Sequence, residues 1–202
     1  MKFGGCIIGL GNPGKKYARQ RHNVGFMVLD RLRDQAAGRP GTSIEPIRSF
    51  RISADLWSWT WAPGEQPWLL AQPSTFMNRS GLAAAAICRR YGLAPDNLLL
   101  VHDELDLPVG RARFKQGGGL AGHNGLKSVA ESLGTRDFIR LRCGIGRPDS
   151  GQPVAEYVLA SFRPDELDAV REMLDLAAAG LLQFVERGIQ AAMNQVHAST
   201  NS

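Results

Sequence analysis

FGGCIIGLGNPG, residues 3–14, is a short apolar run that ends in a glycine-rich turn. The run predicts a buried β-strand, and Asn12-Pro13-Gly14 is a turn signature that places an amide side chain just beyond the strand end. A helix is predicted next, because apolar residues recur at helical spacing from Val24 to Leu32. A strand followed by a turn and a helix is typical of an α/β fold.

The rest of the chain continues this alternation. The apolar runs at 97–101 and 138–146 predict further strands, and a tryptophan-rich segment at 47–62 predicts contiguous strands, so the sheet should be mixed. We therefore predict one α/β domain over residues 1–202, with a twisted mixed β-sheet flanked by α-helices. Residues from about 198 to 202 are expected to form a short flexible tail.

The composition indicates a globular protein and excludes several classes. Of the 202 residues, 44% are hydrophobic and 21% are charged, which does not fit a disordered chain. No apolar run approaches the ~18 residues that a membrane helix requires. The three cysteines, Cys6, Cys88 and Cys143, are widely spaced, so we expect free thiols in a reducing cytoplasm and no membrane partner.

Charge is divided unevenly along the chain. Residues 1–150 hold 21 Lys and Arg against 12 Asp and Glu, whereas residues 151–202 hold 3 against 7. The segment 111–147 alone holds eight basic residues and two acidic ones. This asymmetry predicts a basic face that meets a polyanion; ordinary solvated charge is the alternative.

The glycines of the first turn also match a dinucleotide-binding pattern. Gly9, Gly11 and Gly14 satisfy G-x-G-x-x-G. In that motif the helix begins inside the glycine pattern, and an acidic residue ends a second strand about 20 residues later. Here the periodic helix begins well after Gly14, and the nearest acid, Asp30, falls within it. We therefore interpret the turn as one that presents Asn12, and expect no cofactor.

A histidine and an acidic run indicate general-base chemistry. His22 lies at the mouth of the first helix, and Asp103 follows a predicted buried strand, where a carboxylate is well placed to orient an imidazole. A solvated acidic turn is the alternative. A metal site of His102, Asp103, Asp106 and His123 was also considered, but no metal-ligand spacing supports it, and we expect none.

Three asparagines lie at predicted strand-to-helix loops. Asn12, Asn78 and Asn124 could hold a peptide or ester carbonyl. Helix capping is the alternative for Asn78 and Asn124, and Asn23 is predicted to cap the first helix. Because the chain has no G-x-S-x-G elbow, no covalent serine nucleophile is indicated.

Five motifs in series resemble those of bacterial peptidyl-tRNA hydrolases. They are GLGNPGKKYARQRHNVGFMVLD, PSTFMNRSG, VHDELDLPVG, FKQGGGLAGHNGLKS and FIRLRCGIGRP. The resemblance implies a monomeric, metal-independent enzyme that cleaves the ester between a peptide and the 3′-terminal ribose of tRNA. Such an enzyme recycles tRNA from abandoned peptidyl-tRNA in the cytoplasm.

The same resemblance implies residue roles. His22 would activate a water, Asp103 would hold and polarise His22, and Asn12 would read the peptide. The helix dipole at His22 and the carboxylate of Asp103 oppose each other, so we expect a neutral His22 near pH 7. The substrate would be bound by further residues, with the last two on the tRNA 5′ phosphate: Tyr17, Phe76, Met77, Asn78, Asn124, Lys115 and Arg142.

One loop departs from the family pattern, and one alternative function is kept. Leu120 and Ala121 stand where the resemblance leads us to expect a run richer in His and Gly. The alternative is an RNA-binding protein on the same fold that does not hydrolyse. Binding alone would not require the base–carboxylate pair of His22 and Asp103.

Overall fold

The computed structural model describes residues 2–198 and contains a seven-stranded sheet. Its strands, in chain order, are β1 Cys6–Gly9, β2 Ser43–Ile47, β3 Ala54–Thr60, β4 Trp68–Pro73, β5 Leu98–Glu104, β6 Ala112–Gln116 and β7 Ile139–Gly144. Their spatial order is β2-β3-β4-β1-β5-β7-β6. The four central strands β4, β1, β5 and β7 are parallel, whereas β2, β3 and β6 run antiparallel to their neighbours. The predicted mixed α/β sheet is confirmed.

Within residues 2–198, six α-helices accompany the sheet. They are α1 Val24–Ala37, α2 Ser80–Tyr91, α3 Asn124–Leu133, α4 Val154–Leu159, α5 Leu167–Arg187 and α6 Ile189–Ala198. Ala198, where the predicted tail would start, ends α6, and the rest of that tail lies outside the described residues. Within the described part of the chain, no helix is long and apolar enough to cross a bilayer.

The two faces of the sheet bury separate cores. Along β5 the side chains alternate: Leu99 and Val101 pack with α1 and α5, whereas Leu98 and Leu100 pack with α2 and α3. β5 is buried along its whole length, as expected for a central strand covered on both faces. Because the four central strands are parallel, their carboxyl ends meet at one edge of the sheet, where ligands of open α/β folds bind.

Candidate active site

The first helix is pressed against the strand ends, and this places His22 there. A short 3₁₀ turn, Arg21–Asn23, leads into α1. A Cβ on Gly25 would lie 2.4 Å from the carbonyl oxygen of Val101 and 2.5 Å from the amide nitrogen of Leu10, so the helix can approach this closely only with glycine at that position. His22 is consequently held directly beside β5.

His22, Asp103 and His123 form one hydrogen-bonded cluster, which we call the His–Asp–His cluster. His22 Nδ1 lies 2.8 Å from Asp103 Oδ1, and His123 Nε2 lies 2.9 Å from the same oxygen. All three residues are buried, with 8%, 5% and 8% of their surface exposed. The structure thus brings together two residues, His22 and Asp103, that are separated by 81 positions in the sequence.

The hydrogen-bond network assigns the tautomers of both histidines. An ionised carboxylate only accepts, so His22 donates from Nδ1, and its Nε2 is left as an acceptor. His123 Nδ1 accepts from the backbone N–H groups of Gly125 and Leu126 at 3.1 and 3.2 Å, so His123 carries its proton on Nε2 and donates it to Asp103. His123 is therefore a neutral donor fixed in place.

Two pKa values are displaced in and beside this cluster. Burial raises the pKa of Asp103, but the electrostatic attraction and the hydrogen bonds of His123 and His22 outweigh burial and hold that pKa well below its usual range. His102, wholly buried beside them, donates from Nδ1 to the carbonyl oxygen of Asp103 at 2.8 Å. Burial, then the proximity of His123, lowers the pKa of His102 to about 3. Asp103 is thus ionised and His102 neutral near pH 7.

The cap of α3 decides against the alternative role of Asn124 as a helix cap. His123, not Asn124, is the N-cap, since its ring nitrogen accepts from the first-turn N–H groups. Asn124 is the first helical residue, and its side chain lines the catalytic cavity described below. Because histidine is not a preferred capping residue, the sequence pattern indicated His123 only as a candidate metal ligand.

Asn12 and Asn23 hold each other. The Asn23 side chain accepts from the Asn12 backbone N–H at 3.0 Å and donates to the Asn12 carbonyl at 2.9 Å. Asn23 occupies the predicted N-cap position of α1, but its side chain makes no capping hydrogen bond. Asn12 Oδ1 in turn accepts from the Met77 backbone N–H at 2.9 Å. Asn12 is therefore rigid, and the free donor that it offers a ligand is its Nδ2 amine.

A cavity of about 490 Å³ opens over the cluster, and we call it the catalytic cavity. Six of the residues selected from the sequence line it: Asn12, His22, Phe76, Met77, Asn78 and Asn124. Ala155, Val158 and Leu159 of α4 form an apolar wall. Tyr17 stands next to it, with its ring centroid 6.1 Å from that of Phe76 in an edge-on contact.

Lys115 and Arg142 lie away from this cavity, on β6 and β7. Lys115 pairs with Arg140 across the strands and Asp103 pairs with Cys143, so Lys115 is two strands and three residues from Asp103. With strands about 4.8 Å apart and a rise of about 3.3 Å per residue, the Cα atoms of Lys115 and Asp103 are roughly 14 Å apart. Arg142 donates from Nε to Glu104 Oε2 at 2.8 Å.

Not every basic residue of 111–147 contributes to a basic face. Arg140 is 1% exposed and donates to the carbonyl oxygens of Gly117 and Gly119, so it shapes the loop before α3. In that loop Ala121 has φ of 48°, a left-handed conformation that costs a residue with a Cβ roughly 1 kcal/mol. The atypical Leu120 packs partly against the core.

The metal ligands available differ from those considered in the sequence. His22, Asp103 and His123 have ligand atoms within 4.8 Å of one another, whereas Asp106 bonds Arg147. The two contacts of 2.8 and 2.9 Å have hydrogen-bond lengths; tetrahedral Zn²⁺, with bonds of about 2.0–2.1 Å, would need ligand atoms roughly 3.3 Å apart. The glycine turn is followed only by a short 3₁₀ turn, Lys15–Tyr17, and α1 begins at Val24, so no α-helix starts inside the glycine pattern.

Comparison with known proteins agrees with this architecture. The family model described as peptidyl-tRNA hydrolase matches residues 6–202. The chain is 47% identical to the peptidyl-tRNA hydrolase of Oleidesulfovibrio alaskensis over 98% of both proteins, and 43% identical to that of Mycobacteroides abscessus over 95% and 94%.

A solved structure is also similar. The crystal structure of peptidyl-tRNA hydrolase from Acinetobacter baumannii superposes with a TM-score of 0.84 at 33% identity, covering 98% of this chain and 97% of that one. The matches in sequence and in structure span nearly the whole chain. The chain therefore belongs to the peptidyl-tRNA hydrolase family.

Proposed function

We propose that this protein hydrolyses the ester between a peptide, or an N-blocked amino acid, and the 3′-terminal ribose of tRNA, using a water activated by His22. The observation that carries the proposal is the fixed hydrogen bond from His22 to Asp103 at the floor of an open cavity. A base oriented by a carboxylate, with its second nitrogen left as an acceptor, is an arrangement suited to general-base catalysis.

The reaction follows from the assigned tautomers. His22 Nε2 takes a proton from water as the water oxygen attacks the ester carbonyl, and the charge of Asp103 stabilises the imidazolium. The resulting oxyanion needs donors, and Asn12 Nδ2 and the amide of Asn124 are the nearby candidates. When the tetrahedral intermediate collapses, the bond from carbon to the ribose O3′ breaks, and His22 returns its proton to that oxygen.

The tRNA would approach from the β6 side of the sheet. The 3′ end of tRNA is a short single strand that extends beyond the 5′ phosphate. The separation of roughly 14 Å between Lys115 and Asp103 suits a clamp on the 5′ phosphate with the ester at His22. Phosphate contacts of this kind position a nucleic acid without reading its sequence. Tyr17, Phe76, Met77 and Asn78 would hold the terminal nucleotide and the adjoining peptide.

The biological role proposed is recycling of tRNA from abandoned peptidyl-tRNA in the cytoplasm, by a monomer. The cluster and the cavity above it are assembled from one chain, so no second copy is needed to complete them. The three cysteines are free, in keeping with a reducing compartment.

The experiment is incubation of the protein with N-acetyl-aminoacyl-tRNA and with deacylated tRNA, in chelator and without added cofactor. Release of N-acetyl amino acid supports the proposal. Binding of deacylated tRNA without release from the acylated form would instead support a protein that only binds RNA. Release that stops in chelator and returns with a transition metal would contradict the metal-independent mechanism.

A further inference from the structure

A second cavity adjoins the catalytic cavity at Asn12, and we call it the side groove. Its volume of about 350 Å³ lies within the usual range of ligand pockets, about 300–1,000 Å³. Its walls come from the β1 turn, α1 and the facing ends of β3 and β4, and include Asn12, Phe26, Asp30, Asp55, Gln72 and Ser74. Nothing in the proposed chemistry uses these residues except Asn12.

The strand order places the side groove and the proposed tRNA contacts on opposite sides of β1. Along the sheet edge, β3 and β4 lie on one side of β1, and β5, β7 and β6 lie on the other. The proposed tRNA contacts Lys115 and Arg142 are on the second side. A substrate with its ester at His22 and its RNA over β6 therefore has its peptide directed toward β4 and the side groove.

Asn12 connects the two cavities. It is 7% exposed and lines both of them. Its Oδ1 is occupied by the Met77 N–H, so its Nδ2 is the group that can donate to a peptide carbonyl. An extended peptide advances about 3.3–3.6 Å per residue. A carbonyl bound at Asn12 next to the ester would place the following residue in the side groove.

Asp55 is an acidic side chain of the groove that makes no ion pair within the described residues. Asp30 accepts from Gln72 at 2.8 Å and pairs with Arg33 at 3.2 Å. The side chain of Asp55, opposite Gln72 on β3, makes no hydrogen bond or ion pair within residues 2–198. Lys15 also lines the groove, but its side chain is long and flexible, whereas the short Asp55 side chain is held on a strand.

We propose that the side groove binds the second peptide residue counted from the ester, and that Asp55 favours a basic side chain there. The apolar surfaces of Phe26 and Met27 would pack the stem of a lysine while its ammonium group reaches Asp55. This inference rests on the proposed hydrolase function and assigns a substrate preference to a surface outside the His–Asp–His cluster.

The test compares three tRNA substrates: N-acetyl-aminoacyl-tRNA, and the same ester extended by an N-acetylated lysine or an N-acetylated glutamate. The unmodified protein should hydrolyse the lysine substrate with a kcat/KM about two- to fivefold above that of the glutamate substrate, the size expected for one exposed ion pair. Asp55→Lys should reverse this order. Asp96→Lys, with the same charge change at the opposite sheet edge, should preserve it.

A steric variant tests the groove separately from its charge. Ser74→Trp should lower kcat/KM for both extended substrates at least fivefold and leave the N-acetyl-aminoacyl substrate unchanged, since that substrate ends before the groove. Equal treatment of lysine and glutamate by the unmodified protein, or no effect of Ser74→Trp on the extended substrates, would overturn the inference. Failure to hydrolyse the N-acetyl-aminoacyl substrate would instead contradict the proposed function itself.

Discussion

The His–Asp–His cluster and Lys115 of β6 are roughly 14 Å apart on one sheet, yet their surroundings are opposite. The side chains of His22, Asp103 and His123 are 11%, 3% and 5% exposed, and Asp103 accepts from both histidines. Lys115, by contrast, is exposed on an edge strand. Interactions in a buried network are strengthened by the low dielectric, whereas exposed charges are screened by water and salt.

Removal of a charged side chain should therefore have different consequences in the two regions. Removal of a buried member leaves its partner short of one hydrogen bond, which costs more than the bond contributed. Removal of an exposed lysine leaves no buried partner unpaired. The expected effects therefore fall from the cluster to the β6 edge.

The largest effect is expected at His22. His22→Ala removes the proposed general base and should lower kcat by about 10²–10⁴-fold, while the affinity for deacylated tRNA stays within a factor of about two. Single-turnover hydrolysis of N-acetyl-aminoacyl-tRNA and a filter-binding titration measure the two quantities. Near-normal hydrolysis by this variant would show that another group activates the water.

His123 should be next, because it fixes Asp103 and also caps α3. His123→Asn retains a side chain suited to helix capping but is too short to reach Asp103. Loss of one hydrogen bond to a charged group, about 1.5–3 kcal/mol, should lower kcat by roughly tenfold or more.

His123→Ala is the matched comparison, since it also removes the cap. It should lose a further ~0.5–2 kcal/mol of unfolding free energy relative to His123→Asn, measured by urea denaturation. If His123→Asn keeps full kcat, the contact with Asp103 is structural and does not support catalysis.

His102 should govern stability in acid. Its native pKa is about 3, and its ordinary value is 6.5, so the unfolded chain takes up the proton first as the pH falls. The folded state should therefore lose stability below about pH 6.5, by at most about 1.4 kcal/mol per pH unit from this residue. Above pH 6.5 both states are neutral at this position, and the effect vanishes.

His102→Gln is the variant that isolates this contribution. It loses the native bond to the Asp103 carbonyl at every pH, so the quantity compared between the two proteins is the slope of unfolding free energy against pH. Urea denaturation between pH 7 and pH 4.5 should give a shallower dependence for the variant. Parallel curves for the two proteins would show that His102 takes up no proton on unfolding in this range.

Local sequence patterns could predict most of the fold and part of the candidate site. Strands and helices followed from local periodicity, and the mixed sheet followed from the tryptophan-rich segment. His22 and Asp103 were each placed beside an end of a predicted element, but no local pattern predicted that the two side chains would meet. Asn78 and Asn124 were selected because, with Asn12, they lie at predicted strand-to-helix loops, although each alone is equally typical of a helix cap; their substrate-binding roles came from the family resemblance.

The remaining contacts depend on tertiary geometry. The contact of His123 with Asp103 and the clasp of Asn23 on Asn12 are made between segments whose approach no local pattern encodes. The close packing at Gly25 is similar: the residue reads as an ordinary glycine in a helix, which is unfavourable, until the carbonyl of Val101 is placed against it. The side groove likewise exists only because α1 and β3 meet near the β1 turn.

The smallest effect is expected at Lys115. Lys115→Ala should weaken binding of deacylated tRNA a few-fold at low salt and reduce the slope of log affinity against log salt by about 0.7–0.9, the share of one phosphate contact. Lys2→Ala, an exposed lysine outside the β6 and β7 strands, should leave the slope unchanged.

Arg142→Ala should behave differently, because it frees the buried carboxylate of Glu104 and should also lower the unfolding free energy. We expect Lys115→Ala to reduce the salt slope and keep the unfolding free energy, and Arg142→Ala to lower both. This outcome would identify Lys115 as the purely electrostatic contact. An unchanged slope in Lys115→Ala would remove it from the tRNA interface.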